Sequence, residues 1–362
     1  MTGNVLPIAE LSGSPRHMGR EHGEQFRQAI HEFAERRREV CAKQAERAGW
    51  PDPSADVLRF CRSTLRHHER YSPPTYEEFR GIAEGADIAP DRLMICNGLT
   101  DIIDVFRTAP TGPKGMGECT AWLAAPEATA EGFVLAGQTW DMHPWAEQYV
   151  VAFRRRPKDG PASLTLSTAG CLSLVGLNEA GIAVGNNNLI PTDARPGVMY
   201  LAIVHHVLAQ RSLAAAVNAI VSAPRLSGHN YYLAGPEGEI VDIETTATRS
   251  DVLTPASAIY AHANHFLAPE LAELEATPAS HSSLYRLDRI QHLLHDLSGD
   301  ITPEAMMRVL ADETGQGDCR ICRTDPSDHG RTCAAVVMSP QQGRLWATKG
   351  PPSKHDFHLL DM

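Results

Sequence analysis

The segment that decides the fold has two parts, which read Gly115-Met116-Gly117-Glu118-Cys119-Thr120-Ala121-Trp122 and Gln138-Thr139-Trp140-Asp141. An apolar run, residues 122–125, follows the cysteine, and a second apolar run, residues 133–137, leads up to the aspartate. Two short runs joined by a connector that contains glycine are typical of a β-hairpin. Because a hairpin brings the start of its first strand beside the end of its second, we expect Cys119 and Asp141 to be neighbours.

The residues before this hairpin are predicted to be mostly helical. A strand-like run at 6–12 is followed by Ser14, which can cap a helix through its hydroxyl. Thr75, with Glu78 in the same turn, has the pattern of a capping box and predicts the start of another helix. A further helix is predicted over residues 90–103.

After the first strand of the hairpin begins, the pattern changes to short β-type runs with paired helices between them. Strands are predicted at 119–125, 133–139, 148–154, 163–168, 182–187, 231–234 and 240–243, and helices at 199–210, 213–221, 282–296 and 303–312. Runs of strands, then paired helices, then strands again indicate two sheets covered by helices, an α+β fold. The Gly- and Pro-rich segment 109–117 is where a break in the backbone would be sterically easy.

Composition narrows the classes of partner. The formal net charge is -11 over 362 residues, whereas a nucleic-acid surface needs a basic stripe. No run approaches the roughly 18 apolar residues of a membrane span, and no secretory signal is visible. Eight cysteines scattered through a chain of this length do not form a small disulfide scaffold. We therefore expect no nucleic-acid or membrane partner, reduced thiols and a cytoplasmic location.

Several short motifs occur in order along nearly the whole chain. They are Ser12-Gly13-Ser14-Pro15, Gly19-Arg20-Glu21-His22-Gly23, Glu78-Phe79-Arg80-Gly81-Ile82-Ala83-Glu84-Gly85, Glu118-Cys119-Thr120, Gln138-Thr139-Trp140-Asp141, His229-Asn230-Tyr231, His262-Ala263-Asn264-His265-Phe266 and Gly350-Pro351-Pro352. As an ordered set they resemble the acyl-coenzyme A:isopenicillin N (6-aminopenicillanic acid) acyltransferase family, the self-processing cysteine group of the N-terminal nucleophile hydrolases. The chain departs from the family pattern at Glu118, where glycine is usual, and at Ala121, where a hydroxyl is sometimes found.

The resemblance implies a four-layer αββα sandwich and a precursor that is cut by its own cysteine. The cut would lie between Glu118 and Cys119. It would leave a mostly helical α chain, residues 1–118, and a β chain, residues 119–362, that carries the catalytic core and folds together with the first. The enzyme would cleave or transfer the acyl group of a small-molecule amide or thioester. No cofactor is implied, and a coenzyme A thioester is one candidate substrate.

A mature N-terminal cysteine would supply both a nucleophile and its base. A thiol has an ordinary pKa of about 8.5 and an α-amine one of about 7.7–8.0, so the amine can take the thiol proton. Cys119 would then attack the carbonyl carbon and form an acyl-enzyme, which water or an amine acceptor would resolve. The resemblance assigns Asp141 to holding the Cys119 amine and Asn264 to donating a hydrogen bond to the oxyanion. Judged alone, Asp141 fits a turn-forming aspartate equally well.

Four further residues are candidates for binding the substrate. His229 and Asn230 are expected to precede a strand and border the pocket, although capping or turn hydrogen bonds explain them nearly as well. Arg320 and Arg323 are candidates for binding a substrate carboxylate, with surface ion pairing as the simpler explanation.

Two other interpretations stay open at this point. Cys319 and Cys322 together with His262 and His265 have the residue types of a zinc site, but a single CxxC pair is a weak signal, and no metal site is predicted. The non-enzymatic alternative is an unprocessed binding protein of the same fold, which the departure at Glu118 supports.

Overall fold

The computed structural model describes residues 5–107, 118–325 and 330–362. The segment 109–117, predicted to be the easiest place for a backbone break, lies outside these ranges. Within the three ranges, no helix is both long enough and apolar enough to cross a membrane.

Helices make up most of the described chain before the hairpin, as predicted. They are α1 (Pro15–Gln25), α2 (Arg27–Arg47), α3 (Pro53–Tyr71), α4 (Pro73–Ala86), α5 (Pro90–Asn97) and α6 (Leu99–Val105). Ser14 caps α1, because its side chain accepts a hydrogen bond from the backbone N–H of His17. The later helices are α7 (Tyr200–Val207), α8 (Leu213–Val221), α9 (Pro269–Ala272), α10 (His281–Asp296) and α11 (Pro303–Leu310).

One sheet has eight strands in the order β1-β4-β5-β6-β7-β8-β9-β10. These strands are β1 (Ile8–Gly13), β4 (Val150–Pro157), β5 (Ser163–Thr168), β6 (Val175–Asn178), β7 (Ala183–Leu189), β8 (Gly228–Ala234), β9 (Ile240–Thr245) and β10 (Ser250–Leu253). β1 runs parallel to β4, whereas β4 and the strands that follow it pair with their neighbours in antiparallel fashion. The N-terminal strand is therefore an edge strand that joins a sheet built from later residues.

The second sheet has six strands in the order β11-β2-β3-β12-β13-β14. Its strands are β2 (Ala121–Ala124), β3 (Leu135–Met142), β11 (Ile259–His262), β12 (Arg331–Ser339), β13 (Arg344–Ala347) and β14 (His358–Asp361). β2 and β3 pair antiparallel, with Ala121 opposite Gln138. The predicted hairpin is therefore confirmed, and it lies in the middle of this sheet.

The two sheets pack against each other, and each is covered on its outer face by helices. Side chains alternate in direction along β2, so that Leu123 joins the main core, which includes both sheets and helices α2 to α8. Its neighbour Trp122 joins a separate core with Leu287 and Ile290 of α10 and Met306 of α11. The order of layers is helix, sheet, sheet, helix, which confirms the αββα prediction.

Two of the sequence motifs explain how α1 and α4 pack. A Cβ atom on Gly19 of α1 would lie 2.0 Å from the backbone oxygen of Glu78, and one on Gly81 of α4 would lie 2.3 Å from that of Arg16. The two helices therefore touch backbone to backbone, which only glycine allows at these positions. These motifs serve the helical layer and do not reach the hairpin.

Three local predictions differ from the structure. Thr75 and Glu78 do not form a capping box, because α4 begins earlier, at Pro73, and both side chains are buried within it. The single helix predicted over 90–103 is divided at Gly98, whose φ of -159° and ψ of 44° are not helical. Helix α3 was not predicted, although its buried face carries Val57 and Cys61 at helical spacing together with polar residues such as His68.

Candidate active site

The open end of the β2–β3 hairpin brings Cys119 and Asp141 together. Glu118 and Asp141 form an antiparallel bridge, in which the backbone N–H of Asp141 donates to the carbonyl oxygen of Glu118 at 2.9 Å. One step further in, the N–H of Thr139 donates to the carbonyl oxygen of Thr120 at 3.0 Å. Cys119 lies between these two ladder bonds. The expected neighbourhood of Cys119 and Asp141 is thus present, and the carbonyl that precedes the cysteine is hydrogen-bonded.

The backbone of Cys119 is held on its other atoms as well. Its N–H donates to Oδ1 of Asn264 at 2.8 Å. Its carbonyl oxygen accepts from Nη1 of Arg286 at 2.7 Å and from Nδ2 of Asn187 at 3.1 Å. These contacts come from three separate elements of the fold. The peptide unit on each side of Cys119 is therefore fixed in position and polarised.

Asn264 lies on a loop that is held in place by hydrogen bonds and by an ion pair. Its Nδ2 donates to the carbonyl oxygen of Asn188 at 3.0 Å. The buried carboxylate of Glu244 accepts from the N–H groups of Leu267 and Ala268, at 2.6 and 2.9 Å, and contacts Nε2 of His262 at 2.7 Å. Burial opposes a charge on His262, but Glu244 outweighs it and raises the pKa of His262 above its ordinary value. This ion pair holds the loop that presents Asn264.

A cluster of charged side chains, which we call the Glu118 cluster, surrounds the carboxylate of Glu118. Nη2 of Arg286 lies 3.0 Å from it, Oγ of Ser282 donates at 3.0 Å, and Arg323 makes a second ion pair with the same oxygen. Burial raises the pKa of Glu118, but the two guanidinium groups lower it more, so the net pKa is below the ordinary value. Glu118 is therefore a buried, ionised carboxylate directly before Cys119.

Asp141 is the second acid of the Glu118 cluster. Its Oδ1 accepts from the hydroxyl of Thr332 at 2.7 Å, and its Oδ2 lies 3.5 Å from Nε of Arg323. Among the residues that the structure describes, none donates a hydrogen bond to Oδ2. Burial raises the pKa of Asp141. One oxygen of this carboxylate is thus available for a further donor.

The thiol of Cys119 is buried, with 4% of the residue exposed. Burial raises the pKa of this thiol, and the nearby Asp141 carboxylate raises it further. In the uncut chain the sulfur is therefore protonated and needs a base before it can act as a strong nucleophile.

The structure separates the two candidates on β8. The strand begins at Gly228, so the expectation that His229 and Asn230 precede it is wrong, and both lie within it. Neighbouring residues of a strand face opposite sides. His229 stacks on Tyr200 with ring centroids 4.3 Å apart. Nδ2 of Asn230 donates to Oδ1 of Asn187 at 3.3 Å, and Asn187 in turn contacts the carbonyl oxygen of Cys119. Asn230 is therefore linked to Cys119 through Asn187.

The two candidate arginines also have different positions. Arg323 belongs to the Glu118 cluster, where its Nη2 donates to the Ser282 hydroxyl at 2.8 Å in addition to its ion pairs. Arg320 is half-buried, and its Nε donates to the backbone oxygen of Gly315 at 3.1 Å. The structure therefore brings together Cys119, Asp141, Asn264 and Arg323, and places Arg320 in contact with a neighbouring loop.

The sequence-based prediction missed Arg286, Ser282 and Asn187. Arg286 and Ser282 lie on the buried face of α10 with Leu287, Ile290 and Leu294. A charged residue on an otherwise apolar helical face is a signal that would have indicated Arg286. Asn187 is the middle of three consecutive asparagines in β7, and asparagine is depleted in strands.

The residues considered for zinc have other partners. His262 is paired with Glu244, His265 contacts the Ser283 hydroxyl at 2.7 Å, and Cys322 donates to the Ser353 hydroxyl at 3.3 Å. Within 5–107, 118–325 and 330–362, no group of three or more His, Cys, Asp or Glu side chains is arranged to hold a metal ion.

Comparisons with known proteins match this chain to one family. The model of the family described as acyl-coenzyme A:6-aminopenicillanic acid acyl-transferase matches residues 128–354. The acyl-coenzyme A:6-aminopenicillanic-acid-acyltransferase 40 kDa form of Emericella nidulans is 25% identical over 309 residues, which are 83% of this chain and 82% of that protein.

Two solved structures are more distant in sequence. A variant of the conjugated bile acid hydrolase from Clostridium perfringens is 12% identical with a TM-score of 0.49, and the match covers 67% of this chain and 92% of that one. The penicillin V acylase from Agrobacterium tumefaciens is also 12% identical, with a TM-score of 0.46 and coverage of 67% of this chain and 86% of that one.

The family match covers the part of the fold that surrounds the site. It extends from the residues before β3 to those after β13, and it includes Asp141, Asn264, Arg286 and Arg323. This is more than half of the 362 residues. The resemblance found in the sequence motifs is therefore confirmed, and the chain belongs to the acyl-coenzyme A:6-aminopenicillanic acid acyl-transferase family.

Proposed function

We propose that the chain is a self-processing enzyme that uses Cys119 to cleave or transfer the acyl group of a small amide or thioester. The observation that carries the proposal is the fixation of the Glu118–Cys119 peptide. Its carbonyl oxygen accepts from the N–H of Asp141, and its N–H donates to Asn264. Fixing both ends of one peptide bond beside a thiol is what an intramolecular attack requires.

The first reaction is self-cleavage. The sulfur of Cys119 attacks the carbonyl carbon of Glu118, and the N–H of Asp141 stabilises the negative charge that develops on the oxygen. The C–N bond breaks, the thiol proton moves to the departing nitrogen, and a thioester links Glu118 to the sulfur. Water then hydrolyses the thioester, which frees the thiol and leaves residues 1–118 and 119–362 as separate chains.

The second reaction is turnover by the mature chain. The new α-amine of Cys119 takes the thiol proton, which overcomes the raised pKa that burial imposes on this thiol. The sulfur attacks the substrate carbonyl, the carbonyl's bond to nitrogen or sulfur breaks, and the Cys119 ammonium gives its proton to the departing amine or thiol, which leaves an acyl-enzyme. Water completes a hydrolysis, and an amine acceptor completes an acyl transfer.

Three neighbouring residues have roles in this scheme. Asn264 donates its side-chain amide to the oxyanion, in exchange for the bond that it makes to Asn188 in the uncut chain. The available oxygen of Asp141 accepts from the new ammonium group of Cys119. Asn230 acts through Asn187, which contacts the Cys119 carbonyl. His229 lies on the opposite face of β8 and supports the helical layer.

The family includes an acyltransferase that is named for acyl-coenzyme A and 6-aminopenicillanic acid. For the present chain we propose only the reaction class, acyl transfer or acyl cleavage, and a coenzyme A thioester is one candidate acyl donor. All eight cysteines are free thiols, which supports work in the cytosol without structural disulfides.

Intact mass and N-terminal sequencing of freshly purified protein test the proposal. We expect two species under denaturing conditions, one of which begins at Cys119, and amide or thioester cleavage by the pair. Cys119→Ala should remain one full-length species without activity. Cys333→Ala is the matched control, because Cys333 is also a buried free thiol, and it should be processed and active.

Two results would contradict this scheme. A full-length wild-type chain that still cleaves amides would show that no N-terminal cysteine is needed. A full-length chain with no activity that binds small molecules would favour the unprocessed binding protein.

A further inference from the structure

Glu118 is both the residue at the cut and the occupant of a built anion site. Its carboxylate contacts Arg286, Arg323 and Ser282. Arg286 has no exposed surface, and 2% of Arg323 is exposed. These side chains come from α10 and from the segment before β12, far from Glu118 in sequence. The anion site is therefore part of the enzyme's own framework and lies beside the reactive sulfur.

The acyl group formed in self-cleavage indicates where a substrate acyl group lies. In the thioester intermediate, the carbonyl carbon of Glu118 is bonded to the sulfur of Cys119. In the acyl-enzyme of turnover, the carbonyl carbon of the substrate is bonded to the same sulfur. Because one atom carries both groups, the framework around the Glu118 side chain also surrounds part of the substrate acyl chain.

The charges of the mature site favour a new anion. While Glu118 is in place, the two guanidinium groups make ion pairs with two carboxylates, those of Glu118 and Asp141. Once the cut frees Glu118 to leave, Asp141 is the one described carboxylate still ion-paired with them, and Asp318 acts on Arg323 from further away. A buried charge without a partner is strongly unfavourable. A substrate that brings its own carboxylate to this position therefore binds better than a neutral one.

We propose that the mature enzyme selects acyl groups with a terminal carboxylate three methylene-type carbons from the reacting carbonyl, as in glutaryl and α-glutamyl amides. That spacing is the one between the backbone carbonyl and the side-chain carboxylate of Glu118. Arg323 and Arg286 bind the carboxylate, and Ser282 donates to it. This inference rests on the proposed function, because it needs an acyl group on Cys119.

The first test compares substrates on the processed wild-type enzyme. The glutaryl 4-nitroanilide is compared with its neutral analogue, in which a carboxamide replaces the terminal carboxylate, and with the shorter succinyl and longer adipyl compounds. We expect kcat/KM for the glutaryl compound to exceed that of the neutral analogue by about 100-fold, the size typical of an unmatched buried charge. The succinyl and adipyl compounds should rank between the two.

The second test removes one guanidinium group. Arg323→Met should reduce the preference for glutaryl over the neutral analogue to less than about tenfold. Arg323→Lys retains the charge without the planar fork and should give an intermediate preference, which also serves if the methionine variant does not process. Arg289→Met is the matched control on α10, since Arg289 pairs with Asp312 instead, and its preference should equal that of the wild type.

The two proposals fail in different ways. A processed enzyme that cleaves the neutral analogue as fast as the glutaryl compound would overturn the inference and leave the proposed function intact. A preference that survives in both Arg323 variants would also overturn it. A chain that is never processed and cleaves none of the compounds would instead contradict the proposed function.

Discussion

Two buried glutamates of this molecule are each paired with arginine, yet their surroundings differ. Glu78 on α4 accepts from Nε of Arg155 at 2.8 Å and contacts His205 of α7 at 3.2 Å, on the helical side of the eight-stranded sheet. Glu118 is paired with two arginines and lies beside a second carboxylate, a thiol and a fixed peptide bond.

The difference shows what distinguishes the candidate active site from a structural ion pair. Around Glu78, one carboxylate meets one guanidinium group, and the pair links a helix to the sheet. Around Glu118, the charged groups also hold the backbone of Cys119, since Arg286 contacts both the Glu118 carboxylate and the Cys119 carbonyl oxygen. A buried ion pair alone is weak evidence of function. The informative feature is that the charged groups around Glu118 also contact the backbone of a candidate nucleophile, Cys119.

The largest expected effect comes from breaking each pair in turn. Arg155→Met should lower the free energy of unfolding by about 3–5 kcal/mol, because it leaves the buried Glu78 carboxylate without its arginine. Arg286→Met should lower it by less, because the Glu118 carboxylate keeps its ion pair with Arg323. Only Arg286→Met should also block self-cleavage. Urea denaturation measures the first quantity, and denaturing electrophoresis measures the second.

The lysine variants keep this comparison testable if a methionine variant does not fold. Arg286→Lys should fold but process at least about tenfold more slowly, because an ammonium group cannot make the same set of bonds. Arg155→Lys should process at the wild-type rate. Equal processing by both lysine variants would remove the distinction between the two regions.

The next effect concerns Asn264, which contacts Cys119 without belonging to either ion pair. Asn264→Ala should reduce kcat by roughly 10²–10³, as expected when an oxyanion donor is removed. Asn97→Ala is the control, since Asn97 is buried in the helical layer and bonds to Gly170 and Leu172. It should lower stability while the processed enzyme keeps its kcat. An equal loss of kcat in both variants would assign the effect to folding.

The smallest expected effect is the pH dependence of stability that comes from the depressed pKa of Glu78. Burial raises the pKa of Glu78, but His205 and Arg155 outweigh it and lower the pKa to about 2. A carboxyl whose pKa is depressed on folding contributes stability above its unfolded pKa and loses it as pH falls through the folded value. This contribution should be roughly 3 kcal/mol at most and should disappear between about pH 4.5 and pH 2.

Urea denaturation of wild type and Glu78→Gln over this range measures that contribution. The wild type should be the more stable protein at pH 5, and the difference should shrink as the pH is lowered. A difference that stays constant down to pH 2.5 would mean that the pKa of Glu78 is not depressed.

The sequence was sufficient for features that depend on neighbouring residues. The hairpin and the cap at Ser14 follow from local patterns, and the position of Cys119 beside Asp141 follows from the hairpin. The four-layer order comes from the family resemblance, whereas the pattern of strands and helices indicates only two sheets covered by helices. The partners of Glu118 did not follow, because Arg286 and Arg323 are 168 and 205 residues away. No local pattern encodes such a pairing.

No sequence pattern indicated the partners of some buried polar residues, because those partners are brought close only by the tertiary structure. Glu78 looked like a capping residue, but it is the buried partner of Arg155. His68 is a second buried polar residue, on α3, where it accepts a hydrogen bond from the backbone N–H of Met199 at 3.0 Å. Both contacts join residues far apart in the sequence, so a helical hydrophobic period does not reveal them.

The parallel pairing of β1 with β4 has a consequence if the chain is cut before Cys119 as proposed. Ile8–Gly13 comes before the cut and Val150–Pro157 comes after it, and the two are in register from Ile8 opposite Ala152 to Gly13 opposite Pro157. Strand β1 of the shorter fragment thus covers β4, which would otherwise be the edge strand of the longer fragment. Without this cover, the longer fragment would present a row of unpaired amide groups next to apolar side chains, the arrangement that promotes aggregation. After the proposed cut, the N-terminal fragment would therefore keep this edge of the longer fragment covered and protect it from aggregation.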